Sequence, residues 1–330
     1  QIFAHDEFLQ KFDGVFSGRT DTPDDREDLE TLAAALKPLS TWHALDTLQE
    51  AREACGGAGF MFENRLVGLR ADLDIYVTFE GDNNVLLQLV GKRLLTDYAK
   101  QFTGKDAAAL AKFAVGMTAG KLFHGAGLRQ FGQSVVDLGQ VSRSVENGLR
   151  EEQQHLLLAE RVQQMVADIA GRLRPAGKDK VLGAKLFNEN QAELIEAARA
   201  HGELLQWEAF TDAVHRVDDA DTKKVLTWLR DLFGLQLIEK HLAWHLINGR
   251  LSTQRAAAVS RYIDRLCARL RPYALDLVDA FAYEPEHVRA PIASGAERER
   301  QDEAREYYAA LAASGDAPVL EKTLKKNAKR

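Results

Sequence analysis

The chain has 330 residues, of which 45% are hydrophobic and 28% are charged, a composition typical of globular proteins with room for a large core. The formal net charge of −6 at pH 7 excludes a nucleic-acid surface that depends on bulk positive charge. Only two cysteines are present, Cys55 and Cys267. Two are too few for a disulfide framework, so the composition predicts a reducing, cytoplasmic location.

The sequence shows no segment that would direct the chain to a membrane or out of the cell. No apolar run approaches the roughly 18 residues of a membrane helix, and no charged and apolar signal segment follows Gln1. The last residues do not resemble Ser-Lys-Leu, so peroxisomal targeting is not predicted. Because a helical pattern already occupies residues 3–12, we expect the chain to be a piece of a longer protein.

Hydrophobic periodicity predicts an almost entirely helical chain. Apolar residues recur at three- and four-residue steps, and prolines and glycines fall where such runs end. The predicted helices cover residues 3–12, 24–54 with a bend near Pro38, 84–102, 158–173, 188–217, 221–249, 253–281 and 296–313. Residues 72–79, rich in β-branched and aromatic side chains, form the one segment predicted as extended.

Long helices joined by short turns predict an all-α fold, with one helical bundle followed by a second. We expect the first bundle in residues 1–105 and the second in residues 144–330. Residues 106–143 are rich in alanine and glycine and have a weaker apolar pattern, so they are predicted to connect the two bundles.

Glu80 lies between the predicted extended segment and a predicted helix start. Phe79 precedes it, Gly81 permits close approach of another molecule to the backbone, and Asp82 is a typical capping residue. Apolar surroundings disfavour the charged form of a carboxylate and make it a stronger base. From the residues alone, Glu80 is either such a base or an acid that complements the dipole of the next helix.

Two motifs at a fixed spacing carry a family resemblance. Cys55-Gly-Gly-Ala-Gly59 is followed by Thr78-Phe-Glu-Gly-Asp-Asn83, and residues 235–252 and 277–292 continue the match. This combination resembles the C-terminal half of the acyl-CoA oxidase and acyl-CoA dehydrogenase flavoproteins, and it is most similar to the oxidase-like branch. The resemblance covers most of residues 40–293.

The resemblance implies that Glu80 removes the α-proton of a fatty acyl-CoA while a β-hydride passes to FAD, which gives a trans-2-enoyl-CoA. In that family the backbone N–H of the base holds the thioester carbonyl oxygen, and such preorganised donors stabilise the charge that develops there. Phe79 and Gly81, which flank the base, are the implied substrate contacts.

Contacts to FAD are implied on both sides of the base, and the glycine turn is expected to approach the FAD of a neighbouring subunit. The implied cofactor contacts are Glu53, Gly56, Gly57, Gly59, Asp82 and Asn84. Many relatives carry glutamine at the position of Glu53. An acid there is expected either to repel the FAD phosphates or to accept a hydrogen bond from the adenine. The family's N-terminal helical domain and β-domain, which cover the flavin, have no counterpart in this sequence, so we expect this chain alone to be inactive.

The implied partners are a fatty acyl-CoA substrate, a second copy of the protein in a homodimer or higher oligomer, and an electron acceptor. The acceptor is either O2 or an electron-transfer flavoprotein, and neither nucleic acid nor a membrane is an expected partner. An alternative function is a non-catalytic helical scaffold derived from the same family. The departure at Glu53 and the absence of the flavin-covering domains motivate that alternative.

Three other features are not interpreted as sites. His241 and His245 are four residues apart, but no third ligand has supporting spacing, so we expect packed or surface histidines and no metal. Residues 116–122 are one residue short of a phosphate-binding loop and lack a hydroxyl residue after Lys121. Cys267, in a predicted helix with Leu266 and Leu270, is expected to be buried.

Overall fold

The structure is a computed structural model that describes residues 1–100, 149–284 and 286–316. These residues form α-helices and short 3-10 turns and contain no strand, which confirms the predicted all-α fold. The predicted connecting segment 106–143 and the motif at residues 116–122 lie outside the described residues. The division into bundles 1–105 and 144–330 stays a prediction.

The described α-helices are, in chain order, α1 (Ile2–Phe16), α2 (Pro23–Ala54), α3 (Leu66–Asp74), α4 (Asn83–Lys100), α5 (Glu151–Leu173), α6 (Lys180–Glu189), α7 (Gln191–His215), α8 (Ala220–Lys240), α9 (Leu242–Ile247), α10 (Thr253–Leu270), α11 (Ala274–Asp279) and α12 (Ala296–Ser314). The 3-10 turns are Gly56–Phe60, Phe62–Asn64, Ile75–Val77, Arg174–Ala176, Arg271–Tyr273 and Pro291–Ser294. None of the described helices is long and apolar enough to span a membrane.

The chain divides into two compact units. The first unit contains Gln1–His43 and, among the described residues, 76–100 and 149–278. The second contains Ala44–Ile75 and, among the described residues, 279–284 and 286–316.

Helix α7 lies at the centre of the first unit. It packs against α1, α4, α5 and α8, and it is buried around its whole circumference rather than along one stripe. The buried residues of α7 are Leu194, Ala197, Ala198, Ala200, Gly202, Glu203, Leu204, Gln206, Trp207, Ala209, Thr211, Ala213 and Val214. Because α7 buries residues on every side, neighbouring helices surround it, and their positions follow from that packing.

Glycines allow the helices of the first unit to approach closely. A Cβ added to Gly91 of α4 would lie 2.5 Å from Cγ of Leu194 on α7. A Cβ added to Gly234 of α8 would lie 2.5 Å from Nε1 of Trp207 and closer still to Oε1 of Gln154. Trp207 Nε1 donates to Gln154 Oε1 over 3.1 Å, so a buried hydrogen bond occupies the space beside Gly234.

The prediction that residues 72–79 are extended is wrong. Helix α3 continues to Asp74, and the 3-10 turn Ile75–Val77 follows it directly. The preference of β-branched and aromatic residues for strands depends on packing against neighbouring strands, and the described residues offer no strand to pair with. A helical turn instead satisfies the backbone hydrogen bonds locally.

Two long helices predicted in the second half of the chain are interrupted. The helix predicted through residue 249 stops at His241, and the short helix α9 begins at Leu242. The helix predicted to continue past Pro272 ends at Leu270 and becomes the 3-10 turn Arg271–Tyr273, because proline lacks the N–H that an α-helix needs. The predicted cap at Ser252 is confirmed, since its side chain accepts a hydrogen bond from the backbone N–H of Arg255.

Cys267 is exposed, so the expectation of a buried cysteine is wrong. His245, in contrast, is fully buried, and burial lowers its pKa to about 3. The positive charges of Arg161, His241 and Arg250 also disfavour protonation of His245. The core of the first unit therefore holds a histidine in its neutral form.

We expect Gly234→Ala to destabilise the protein, because the new methyl group would displace the hydrogen-bonded pair of Trp207 and Gln154. Overpacking of this kind costs about 1–3 kcal/mol, which urea or thermal unfolding of the full-length protein would measure. Gly171→Ala on α5 is the matched control, because its Cβ would meet nothing within 4 Å. An exposed helical glycine gains roughly 0.5–1 kcal/mol on change to alanine. Equal effects of the two changes would contradict the described packing.

We also expect acid to weaken the fold through His245. In the unfolded chain this histidine takes up a proton near its ordinary pKa of about 6.5, whereas the folded protein resists protonation until about pH 3. The free energy of unfolding therefore decreases as the pH falls from about 6.5 towards 4, by up to ~1.4 kcal/mol per pH unit from this group. His245→Gln should reduce that slope in urea unfolding measured across this range. An unchanged slope would show that His245 is not the responsible group.

Candidate active site

The loop that carries Glu80 lies in the first unit, between the 3-10 turn Ile75–Val77 and α4. Glu80 has a φ of 57° and Gly81 a φ of 104°. The left-handed region is readily adopted by glycine, but it costs a side chain such as glutamate roughly 1–2 kcal/mol. Residues held in such conformations are concentrated at active sites and ligand contacts. Among the described non-glycine residues, Arg65 and Ala282 also have a positive φ, but Glu80 is the acid among them and precedes a helix start.

The Glu80 side chain is exposed in the structure. The neighbouring Phe79 is 53% exposed, and its ring meets that of Tyr76 edge-on at 6.1 Å between centroids. The apolar environment that the sequence predicted around Glu80 is therefore not formed by the described residues. What they provide is an accessible carboxylate beside an accessible aromatic ring.

Asp82 caps helix α4. Its Oδ1 accepts hydrogen bonds from the backbone N–H groups of Asn84, over 2.9 Å, and Val85, over 3.3 Å. This matches the helix start that the sequence predicted at this position. Asn84 itself is exposed, whereas Asn83 is only 1% exposed and donates from Nδ2 to Oγ1 of Thr41 over 2.9 Å. The supporting role of Asn83 was not predicted from the sequence.

The glycine turn lies in the second unit, as the 3-10 turn Gly56–Phe60. Gly56 has a φ of 56°, which favours glycine. Gly59 is buried, and a Cβ there would lie 2.9 Å from the carbonyl carbon of Arg52 and closer still to its oxygen. Gly57 is exposed, and a Cβ there would meet nothing within 4 Å. Gly59 is thus required for close packing against the backbone of Arg52, while the backbone of Gly57 is exposed to solvent.

Glu53 is exposed at the C-terminal end of α2, and its charge has nearby partners. Gln49 Nε2 donates to Glu53 Oε1, and Arg52 Nη2 lies 3.6 Å from the same oxygen. The Arg52 guanidinium also lies over the ring of Phe60, 4.8 Å from its centroid. These contacts partly offset the negative charge that Glu53 brings to the glycine turn.

Asn64 is a supporting residue of the second unit that sequence reasoning missed. It is 4% exposed, and its Nδ2 donates to the carbonyl oxygen of Ala58 over 2.8 Å. Its Oδ1 accepts from the backbone N–H of Ile292 over 3.0 Å, which ties the glycine turn to the turn Pro291–Ser294. Its partner Ile292 is distant in sequence, so no local pattern identifies the role of Asn64.

The structure thus places the predicted site residues in two sets. The first set, Phe79, Glu80, Gly81, Asp82 and Asn84, shares one loop and helix start in the first unit. The second set consists of Glu53, at the end of α2, and Gly56, Gly57 and Gly59 in the turn that follows it in the second unit. Within the described ranges, no group of three histidine, cysteine or acidic side chains could hold a metal ion.

Two family models match the chain. The model described as "Acyl-CoA oxidase, C-alpha1 domain" matches residues 3–95, which include both sets of predicted site residues. The model described as "Acyl-CoA oxidase" matches residues 151–295.

Individual relatives agree with these matches. A putative acyl-coenzyme A oxidase 3.2, peroxisomal, of Arabidopsis thaliana is 32% identical over 283 residues, which cover 82% of this chain and 38% of the relative. An acyl-coenzyme A oxidase-like protein of Mus musculus is 28% identical over 277 residues, which cover 84% of this chain and 42% of the relative. The predicted cytoplasmic location is contradicted by this comparison, because three of the Arabidopsis relatives are named as peroxisomal.

Solved structures show the same fold. Acyl-CoA oxidase 1 of Arabidopsis thaliana superposes with a TM-score of 0.63 at 26% identity, over 81% of this chain and 38% of that one. Acyl-CoA oxidase-2 of Caenorhabditis elegans, bound with FAD, ascaroside-CoA and ATP, superposes with a TM-score of 0.67 at 19% identity, over 97% of this chain and 45% of that one.

The chain spans 38% and 42% of the length of the two relatives described above. Its two family matches together extend from residue 3 to residue 295, with a gap between residues 95 and 151. The chain therefore belongs to the acyl-CoA oxidase family and corresponds to its C-terminal region.

Proposed function

We propose that the full-length protein containing this chain oxidises a fatty acyl-CoA to a trans-2-enoyl-CoA with FAD as its cofactor, and that Glu80 is the base. The observation that carries the proposal is the left-handed backbone of Glu80, with a φ of 57°, inside a region that matches an acyl-CoA oxidase domain. The fold tolerates an unfavourable conformation at the one residue to which the family resemblance assigns proton abstraction.

Each residue of the loop has a role in this proposal. The exposed Glu80 carboxylate takes the α-proton, which the thioester carbonyl has made more acidic. The backbone N–H of Glu80 donates to the carbonyl oxygen, where negative charge develops as the proton leaves. Gly81 has no side chain to obstruct the thioester, and the exposed ring of Phe79 offers apolar surface to the substrate.

The glycine turn leaves room for a cofactor to approach its backbone. Gly57 presents exposed backbone with open space where a Cβ would stand, so a ligand has room for close approach. FAD, when bound, would supply the redox chemistry by accepting the β-hydride. In the second unit, Glu53 and Gly56 are exposed and would contact FAD together with this turn. In the first unit, Asn84 is exposed and is proposed as a separate cofactor contact, while Asp82 has one carboxylate oxygen engaged in capping α4.

Electron acceptor and assembly complete the proposal. Because the matched family is described as acyl-CoA oxidase, we propose O2 rather than an electron-transfer flavoprotein as the acceptor. A homodimer or higher homo-oligomer, in which the glycine turn contacts the FAD of a neighbouring subunit, is also proposed.

We expect Glu80→Gln in the full-length protein to abolish reduction of bound flavin by a long-chain acyl-CoA. Removal of a general base slows a reaction by about a hundredfold or more, whereas the amide is nearly the same size as the acid and leaves flavin bound. Stopped-flow absorbance at the flavin band under anaerobic conditions measures the rate.

Asp72→Asn is the control for this experiment, because Asp72 is an exposed acid on α3 outside the loop. It should reduce flavin as the unaltered protein does. Near-normal reduction in Glu80→Gln would remove Glu80 from the mechanism. A full-length protein that purifies without flavin would favour the scaffold function instead.

The glycine turn allows a second, matched pair of changes. Gly57→Ala should leave the melting temperature unchanged and lower the flavin content per subunit, because its methyl group enters only the space left for the cofactor. Gly59→Ala should lower the melting temperature, because its methyl group collides with the backbone of Arg52. Full flavin content in Gly57→Ala would mean that the cofactor does not approach this glycine.

A further inference from the structure

We propose that Lys37 is a positioning residue that holds the loop carrying Glu80 in its left-handed conformation. The effect of Lys37 on catalysis rests on the proposed function of Glu80. The effect of Lys37 on the loop conformation rests on its hydrogen bonds alone. Lys37 lies on α2, and both Lys37 and the loop belong to the first unit.

The Lys37 ammonium group makes two hydrogen bonds to the residues that follow Glu80. Its Nζ donates to the carbonyl oxygen of Gly81 over 2.6 Å and to Oδ1 of Asn83 over 2.8 Å. A charged donor makes stronger hydrogen bonds than a neutral one. Two anchors on one cation fix the direction of the Gly81 peptide, and with it the backbone on the C-terminal side of Glu80.

Thr41 closes these contacts into a ring. Asn83 Nδ2 donates to Thr41 Oγ1 over 2.9 Å, and the Thr41 hydroxyl donates back to the carbonyl oxygen of Lys37 over 3.1 Å. The hydrogen bonds therefore run from Lys37 to Asn83, from Asn83 to Thr41, and from Thr41 back to the backbone of Lys37. We call Lys37, Thr41 and Asn83 the loop clamp.

The charges around Lys37 are consistent with a role for its ammonium group in holding the loop. Partial burial lowers the pKa of the Lys37 ammonium, and attraction to Asp82 and Glu80 opposes that shift. The cation thus stands beside the two acids of the loop while its hydrogen bonds go to neighbouring uncharged groups. It orients the loop without neutralising the base through a direct ion pair.

The clamp explains how an unfavourable backbone is retained. A residue in the left-handed region persists only when surrounding contacts determine its conformation. Without the clamp, Glu80 would relax towards a more favourable φ, and its carboxylate and N–H would move relative to a bound thioester. A displacement of about 1 Å can slow a reaction by roughly a hundredfold.

The test uses full-length protein and the change Lys37→Met, which keeps the chain length and removes the donors. We expect the rate of flavin reduction to fall roughly ten- to a hundredfold while the KM for acyl-CoA stays the same. Amide hydrogen exchange should become faster in residues 78–83. Lys37→Arg, which retains charged donors, should restore part of the rate.

Lys92→Met is the matched control, because Lys92 is an exposed lysine on α4, the helix that follows the loop. It should change neither the rate nor the exchange of residues 78–83. Asn83→Ala should resemble Lys37→Met, and the double change should be no worse than either single one, because both remove the same ring.

Glu80→Gln measured in the same series separates the two proposals. If Glu80→Gln is inactive while Lys37→Met matches the unaltered protein in rate and exchange, Lys37 is not a positioning residue. A raised KM with an unchanged maximal rate would also overturn the proposal, since it would indicate a substrate contact. If Glu80→Gln remains active, the proposed function fails, and faster exchange in Lys37→Met would still support the hold on the loop.

Discussion

The burial of helix α7 on every side is the constraint on which the first unit depends. Buried residues occur on every side of α7, and α1, α4, α5 and α8 pack around it. Helix α2 joins this arrangement through a cluster of buried residues, which are Ala34, Ala35, Leu87, Val90 and Ala198. Burial of large side chains such as Leu87 and Val90 contributes about 1.5–3 kcal/mol each.

This packing also fixes the candidate active site. Lys37 is two residues after Ala35 on α2, and Asn83 is four residues before Leu87 on α4, so the same cluster that joins the helices brings the loop clamp together. The packing of α2 against α4 therefore sets how far Lys37 lies from the loop before α4. The position of the exposed Glu80 carboxylate can in this way depend on an apolar core that it does not touch.

The sequence predicted the helical fold because periodicity and capping are local. The end of α5 before Pro175 and the caps at Asp82 and Ser252 depend on residues within a few positions, and each lies where expected. The extended segment at residues 72–79 failed for the opposite reason, since strand formation requires a partner elsewhere in the chain. Its residue types were suitable, but the described residues supply no strand beside it.

For the candidate site, the family resemblance predicted which residues would contact ligands, but it did not predict the residues that support them. Lys37 and Asn83 are 46 positions apart in sequence, and Asn64 and Ile292 are 228 apart. Contacts over such separations are visible only once the helices are packed. The exposure of Glu80 was also unforeseen, because residue types alone do not reveal which neighbours face a side chain.

The measurement that tests the central claim most directly is the anaerobic visible spectrum of the unaltered full-length protein during titration with a long-chain acyl-CoA. The account predicts that the oxidised-flavin band bleaches as acyl-CoA is added, and that admission of air restores it. A protein without a flavin band, or with one that acyl-CoA does not change, would contradict the account and leave Glu80 as an ordinary acid at the start of a helix.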